Sequence, residues 1–315
     1  MKIVVLDAQT VTKGDLSLSP LEEFGELVVY QLTSPELIAE RVNDADIVLC
    51  NKTQLNEDNL CNAKKLRYIG LFATGYNNID TEYTQRAGIT VCNAGSYSTA
   101  SVAQQAFGFI LNHFSRISDY DRFVKEDGWL SSETFSPFVF PAAELQGKTL
   151  GIIGYGKIGK QVARIANAFD MNVLVYKRTP ADDDSVRFVD LDQLLNQSDI
   201  ISVHCPLNEQ SSQMFNSDAF SKCKTGAYFV NTARGGVVDE QALFDALESE
   251  KLSGAAVDVL TIEPMSADCV LRRAKNITFS PHIGWAPIET RTRLMKIVCD
   301  NIAAFISGNP KNVVK

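Results

Sequence analysis

The chain has 315 residues, with 30 Lys and Arg against 38 Asp and Glu, for a formal net charge of −8. At about 100–200 residues per domain that length favours two domains, and a composition 45% hydrophobic and 22% charged excludes a disordered, collagen-like or coiled-coil chain. An acidic balance without a Lys/Arg block argues against a sequence-independent grip on nucleic acid, and no apolar stretch reaches the roughly 18 residues of a membrane span.

The opening, Met1-Lys2-Ile3-Val4-Val5-Leu6-Asp7, reads as a first strand rather than a signal peptide. The seven cysteines are scattered and form no C-x-x-C, which argues against a disulfide framework or a zinc ribbon. A reducing cytoplasm is the expected compartment, and neither a metal nor a membrane is an expected partner.

In chain order, strands are predicted at Ile3–Leu6, Leu27–Tyr30, Asp46–Cys50, Tyr68–Phe72 and Thr90–Cys92, with a helix over Ser34–Val42 between the second and third. A long helix follows over Ser98–Arg116, then a less regular, aromatic-rich segment, Ser118–Gly147. A second series of strands opens after Lys148: Thr149–Ile153, Asn172–Tyr176, Ile200–His204, Ala227–Asn231, Ala255–Val259 and Ile277–Ser280. A helix over Ile288–Ile306 closes the chain. Strands alternating with helices read as parallel α/β, twice over.

The sharpest motif is Gly154-Tyr155-Gly156-Lys157-Ile158-Gly159, between the strand ending at Ile153 and a helical run from Lys160. That is the context a dinucleotide site needs. Gly154 permits the tight turn, Gly156 lets backbone approach a pyrophosphate, and Gly159 lets the helix pack close to the strand. The helix N-terminus offers free N–H groups to the phosphates. The following strand runs into Lys177-Arg178, where an NAD site usually carries an acid for the ribose hydroxyls. Two cations there suit a 2′-phosphate, so the cofactor is NAD or NADP, with NADP acceptance suspected.

Three histidines bound the acid/base candidates. His113 sits in a helix and reads as structural. His204 ends a buried-looking strand, where a structural or cofactor-side role outweighs catalysis. His282, in Ser280-Pro281-His282-Ile283-Gly284-Trp285, lies on a loop just past the last strand and is the best general acid/base candidate. Arg234, directly after a strand and beside two glycines, presents a planar fork suited to a carboxylate. Glu263 follows the strand that ends Asp258-Val259.

Together these segments resemble the D-isomer-specific 2-hydroxyacid dehydrogenase family over nearly the whole chain. The likeness is carried by Gly154–Gly159, His204-Cys205-Pro206-Leu207, Asn231-Thr232-Ala233-Arg234-Gly235, Asp258 with Glu263-Pro264, and Ser280-Pro281-His282. It is closest to the glycerate dehydrogenase (hydroxypyruvate reductase) branch, through Ala73-Thr74-Gly75-Tyr76-Asn77-Asn78-Ile79-Asp80, Tyr97-Ser98-Thr99-Ala100-Ser101-Val102-Ala103-Gln104 and His282-Ile283-Gly284-Trp285. Gln104 stands where many relatives carry Glu, which also suits that branch.

The resemblance implies two Rossmann-like, doubly wound parallel-sheet domains with a cleft between them. A flavodoxin-like substrate-binding domain would comprise residues 1–98 plus 288–315, and a dinucleotide-binding domain residues 99–287. It implies hydride transfer that interconverts a small 2-keto acid and a 2-hydroxy acid, namely hydroxypyruvate with D-glycerate or glyoxylate with glycolate. Other 2-keto acids, phosphoglycerate and a dinucleotide-sensing role are the alternatives. By the same resemblance, His282 would give its proton to the ketone oxygen, Glu263 would hydrogen-bond the imidazole and favour its charged form, and Arg234 would bind carboxylate and carbonyl. Backbone N–H groups around Thr74, Gly75 and Tyr76 would hold the substrate carboxylate, Trp285 would limit substrate size, and Asp258 would orient the nicotinamide amide. Tyr155, Lys157, Ile158, Lys177, Arg178, His204, Pro206, Thr232 and Ala233 would line the cofactor with the three glycines. Members are usually dimers, with Ser98–Gly147 expected at the interface.

Overall fold

A computed structural model describes residues 1–179 and 182–314; Lys315, the end of the expected C-terminal segment, lies outside the described residues. The chain divides into two compact units, Met1–Ser98 with the chain from Ala286 onward, and Thr99–Trp285.

The first unit holds β1 (Lys2–Val5), β2 (Glu26–Val29), β3 (Ile47–Cys50), β4 (Tyr68–Leu71) and β5 (Thr90–Cys92). They form a parallel sheet of order β2-β1-β3-β4-β5. Every residue of β3 and β4 is buried, as both faces of a parallel sheet must be when helices cover them. Val4, Val48, Ile69 and Leu71 of the sheet pack with Ile38, Val42, Leu55 and Leu60. Asp80 caps the helix Thr81–Arg86 by accepting from Tyr83 N–H. The helix Ile288–Ile306 belongs to this unit, where the Arg291 guanidinium meets the Asp15 carboxylate at 2.6 and 2.9 Å. At the point where strand order reverses, between β1 and β3, the buried Asp7 carboxylate accepts from the N–H groups of Asn51, Lys52 and Thr53 at 2.7–2.9 Å.

The second unit holds β6 (Thr149–Ile153), β7 (Asn172–Tyr176), β8 (Arg187–Phe188), β9 (Ile200–Val203), β10 (Ala227–Asn231), β11 (Leu252–Val257) and β12 (Ile277–Phe279). Among the described residues these make a parallel sheet of order β12-β11-β10-β9-β6-β7-β8. Counted from β6, that is the doubly wound 3-2-1-4-5-6 order with one strand added, and the reversal falls between β6 and β9. One core, with Leu194, Phe215, Phe220, Phe229 and Leu243, covers one face; another, with Phe107, Ile110, Val162 and Ala166, covers the other. Asp190, Asn216 and Asp239 each cap a helix on this sheet through a side-chain oxygen.

The two α/β series, and their doubly wound parallel character, are as the sequence predicts. Three local departures have physical causes. The segment read as irregular contains the helix Ile117–Lys125, which is short and buries none of its residues. β8 is two residues at a sheet edge, too short to leave an alternating pattern. β11 starts three residues before Ala255, running through Ser253 and Gly254, the latter a residue type depleted in strands. A Cβ on Gly254 would lie 2.8 Å from Asn276 O and 3.0 Å from the His113 ring, so glycine serves a close approach there.

Candidate active site

β6 delivers the chain to Gly154, whose φ of 94° is open to glycine alone among common residues. A Cβ at Gly154 would sit 2.6–2.8 Å from the backbone of His204 and Cys205, which follow β9. One at Gly159 would sit 2.2 Å from Gly154 O, so the helix Lys157–Ala168 packs hard on the turn. At Gly156 the same construction meets no atom within 4 Å. The turn is therefore tight at its two ends and open in its middle, above a helix N-terminus whose first turn carries no acidic side chain. An anionic pyrophosphate fits that cradle sterically and electrostatically.

Two further features fit a bound dinucleotide. Thr232 Oγ1 and His204 Nδ1 are buried with no hydrogen-bond partner among the described residues, an arrangement folded proteins seldom leave unless a ligand or water completes it. His204 Nε2 pairs with Ser202 Oγ at 2.8 Å, and burial pushes the imidazole pKa down to about 3, so the ring is neutral and its second nitrogen is open to a ligand. Pro206 O accepts from Ser211 Oγ at 2.6 Å, which fixes the loop beyond. Tyr155 is buried and donates to Asp183 Oδ2 at 2.7 Å, and the Lys160 ammonium lies 5.5 Å above its ring. Lys157 and Ile158 open the helix. Lys177 and Arg178 are exposed just past β7, with Arg178 Nη1 donating to Gln210 Oε1 at 2.5 Å.

The chemistry-bearing loops leave the carboxyl ends of β10, β11 and β12. Asn231, 1% exposed, accepts from Ala233 N–H at 3.0 Å and donates to Arg234 O at 2.9 Å, so one amide shapes the loop that presents Arg234. Gly235 then passes so near Leu260 and Thr261 that a Cβ would fall 1.9–2.2 Å from their backbone. The Arg234 loop and the Glu263 loop therefore touch backbone to backbone. Within the latter, Leu260 N–H donates to Glu263 Oε1 at 3.0 Å, and Thr261 N–H to Glu240 Oε1 at 2.8 Å. Glu263 Oε2 lies 2.6 Å from His282 Nδ1. Both side chains keep about a third of their surface in solvent, at 34% and 27%.

His282 has a φ of 53°, uncommon outside glycine. Its N–H donates to Asp258 O at 2.7 Å and Ser280 O at 3.0 Å. The Asp258 carboxylate accepts from Ile283 N–H and Gly284 N–H, both at 2.9 Å, and from the Ser280 hydroxyl. Asp258, assigned from sequence to the nicotinamide amide alone, is thus also the anchor of the His282 loop. Sequence reading missed that role, and that of Glu240, because their partners lie on another loop and leave no local pattern; the Asn231 contacts are local, to Ala233 and Arg234.

Arg234, Glu263 and His282 thus come from adjoining loops of one sheet. A carboxylate on Nδ1 leaves Nε2 as the nitrogen that exchanges a proton with a substrate, which is the geometry of a general acid/base. On the first unit, Thr74, Gly75 and Tyr76 lie on the loop after β4. There the Thr74 hydroxyl donates to Gly95 O, Asn93 Nδ2 donates to Thr74 O at 2.8 Å, and Tyr76 is exposed. Trp285, half-buried, follows the His282 loop on the second unit.

Residues 107–284 match the family model described as the D-isomer specific 2-hydroxyacid dehydrogenase, NAD binding domain. The chain is 41% identical to a hydroxypyruvate reductase of Blautia hydrogenotrophica, over 100% of this chain and 99% of that protein. It is 35% identical to a glycerate dehydrogenase of Methylorubrum extorquens, over 100% and 99% of the two chains. Among solved structures it resembles a D-lactate dehydrogenase of Aquifex aeolicus complexed with NAD and lactic acid, with a TM-score of 0.85, 28% identity and coverage of 98% and 96%. With a built dinucleotide cradle and this likeness along its full length, the chain belongs to the D-isomer-specific 2-hydroxyacid dehydrogenases, NAD(P)-dependent oxidoreductases that act on the CH–OH group.

Proposed function

We propose that the enzyme reduces hydroxypyruvate to D-glycerate, and glyoxylate to glycolate. The observation that carries the chemistry is the 2.6 Å contact between His282 Nδ1 and Glu263 Oε2. The substrate follows from the full-length likeness to a hydroxypyruvate reductase. A reduced nicotinamide cofactor held in the Gly154–Gly159 cradle would supply the hydride for the keto carbon. His282 gives the proton to the ketone oxygen, and Glu263 stabilises the charged imidazole before transfer and orients the ring. Arg234 binds the carboxylate and carbonyl and stabilises negative charge developing on oxygen. Backbone N–H groups of Thr74, Gly75 and Tyr76 take the carboxylate, and Trp285 sets the size of the substrate tail. Asp258 would hold the nicotinamide amide with the acceptor capacity its loop contacts leave.

The cofactor is held by Gly154–Gly159 with Thr232, Ala233, His204 and Pro206. Lys177 and Arg178 would accept a 2′-phosphate, so NADPH is used as well as NADH. Residues 1–98 with 288–315 act as the substrate-binding domain and 99–287 as the dinucleotide domain. The exposed aromatics Trp129, Phe135 and Phe138, the last two 89% and 93% open, support a homodimer through the Ser98–Gly147 segment. The test is initial-rate oxidation of NADH and NADPH, side by side, with hydroxypyruvate, glyoxylate and pyruvate, together with sedimentation of the same preparation. Fast hydroxypyruvate turnover with both cofactors, from a dimer, is expected. Cofactor binding without turnover on any of the three acids would overturn the substrate reading, strict NADH use the phosphate reading, and a monomer the dimer.

A further inference from the structure

The loop that carries His282 is held from a distant part of the sequence. Gln105, half-buried on the helix Thr99–Ser115, donates from Nε2 to Ser280 Oγ at 3.1 Å, across 175 positions of chain. The Ser280 hydroxyl has one proton, and it donates that proton to Asp258 Oδ1. Its oxygen can therefore only accept from Gln105, and the amide NH₂ is the half of the Gln105 side chain that fits. Asp258 passes the constraint on through the N–H groups of Ile283 and Gly284.

A second contact is independent of that chain. A Cβ built on Gly284 would lie 3.5 and 3.6 Å from Gln105 Cβ and Cγ, so the stem of Gln105 stands beside Gly284 with room for no more than about a methyl group between them. Gln105 thus flanks the loop on both sides of His282, bonded at Ser280 and adjacent at Gly284, and between them His282 keeps its left-handed φ of 53°.

We infer that Gln105 is a positioning residue for proton transfer, acting on His282 through Ser280 and Asp258 without touching substrate. This rests on the reading of His282 as the acid. Proton transfer needs the donor within hydrogen-bond reach of the ketone oxygen, and a loop freed at both its anchors loses that placement.

Gln105→Glu tests it, because glutamate keeps the shape and the packing but cannot donate. Two carboxylates would then compete for the one proton of Ser280. Gln105→Glu should lower kcat for hydroxypyruvate reduction about tenfold, the scale of an outer-shell loss, while KM and NADH affinity by fluorescence titration stay within about twofold. The solvent deuterium isotope effect on kcat should rise, since proton delivery becomes slower. Ser280→Ala should lose as much, and the double variant no more than either single, as for residues acting in one chain. A native kcat in Gln105→Glu, or fully additive losses, overturns the inference. If Gln105→Glu fails to fold, Ser280→Ala decides, and a native kcat there overturns it. His282→Gln runs beside them. If it is inactive while Gln105→Glu is native, only the inference falls; if it keeps native turnover, the acid reading falls and this inference with it.

Discussion

Glu263 binds with both oxygens, and the two contacts do different work. Oε1 takes Leu260 N–H and holds the carboxylate to its own loop, while Oε2 meets His282 Nδ1. Replacing Glu263 by Gln keeps size and shape but removes the carboxylate charge that faces His282 Nδ1. A hydrogen bond to a charged group is worth about 1.5–3 kcal/mol, so Glu263→Gln should lower kcat/KM for ketone reduction by about 10- to 100-fold. Cofactor affinity should change little, because Glu263 lies on the loop after β11 and its hydrogen bonds to Leu260 N–H and His282 serve that loop and the imidazole. Steady-state rates together with NADH titration measure both, and a variant within twofold of native would remove Glu263 from the mechanism.

At the level of elements, the turn after β6 joins the dinucleotide motif to the loop after β9. Gly154 has both a φ of 94° and a Cβ position 2.6 Å from Cys205 N. Either alone disfavours a side chain, and strain of the first kind costs of order 1–3 kcal/mol. Gly154→Ala should therefore lower stability by at least about that amount and weaken NADH binding, whereas Gly156→Ala, which meets nothing within 4 Å, should fold normally and lose only cofactor affinity. Thermal melts with and without NADH separate the two; equal melting of both variants without cofactor would refute the distinction. The same turn explains what the sequence could and could not convey. Gly154, Gly156 and Gly159 lie within six residues, and their spacing carries the physics of the site with it. Arg234, Glu263 and His282 each follow a strand, so parallel topology alone brings them to one sheet end. The contacts that hold them, Gly235 against Leu260, Glu240 to Thr261 and Ser280 to Asp258, join loops whose separation in sequence varies from one pair to the next, and no periodicity encodes them. The helix Ile117–Lys125 stayed hidden for a different reason: it buries none of its residues, and Tyr120 and Phe123 pack against Phe140 in the irregular segment beyond it rather than into a core.

Across the whole molecule, two partly buried imidazoles set how stability responds to acid. Desolvation lowers His113 from 6.5 to about 4 and His204 from 6.5 to about 3. His113 stacks on Tyr228 at 3.9 Å, with Ser253 Oγ 3.3 Å from Nε2; Arg116 lowers its pKa further and Asp119 raises it in part. The unfolded chain binds protons at these sites below pH 6.5, whereas the folded chain declines them until about 4 and 3. Stability contributed by the neutral rings is thus fully present above 6.5, is lost as pH falls from 6.5 toward 4, and for His204 continues to fall toward 3. Paired carboxylates such as Asp199, lowered from 3.8 by Lys224 and Thr149 N–H against the cost of burial, lose their contribution only below 3.8. The interval from about 6.5 to 4.5 therefore belongs to the histidines. At about 1.4 kcal/mol per pKa unit, and with screening at its partly open edge, His113 should account for about 2 kcal/mol of the loss. Both histidines, and both tryptophans, Trp129 and Trp285, lie in the unit Thr99–Trp285, so tryptophan fluorescence follows the unit concerned. Urea unfolding at pH 7, 6 and 5 should show stability falling with acidity in the native chain. His113→Phe, which keeps the stack on Tyr228, should show about half that slope. Equal slopes in the two proteins would mean that His113 takes up its proton without opening the fold.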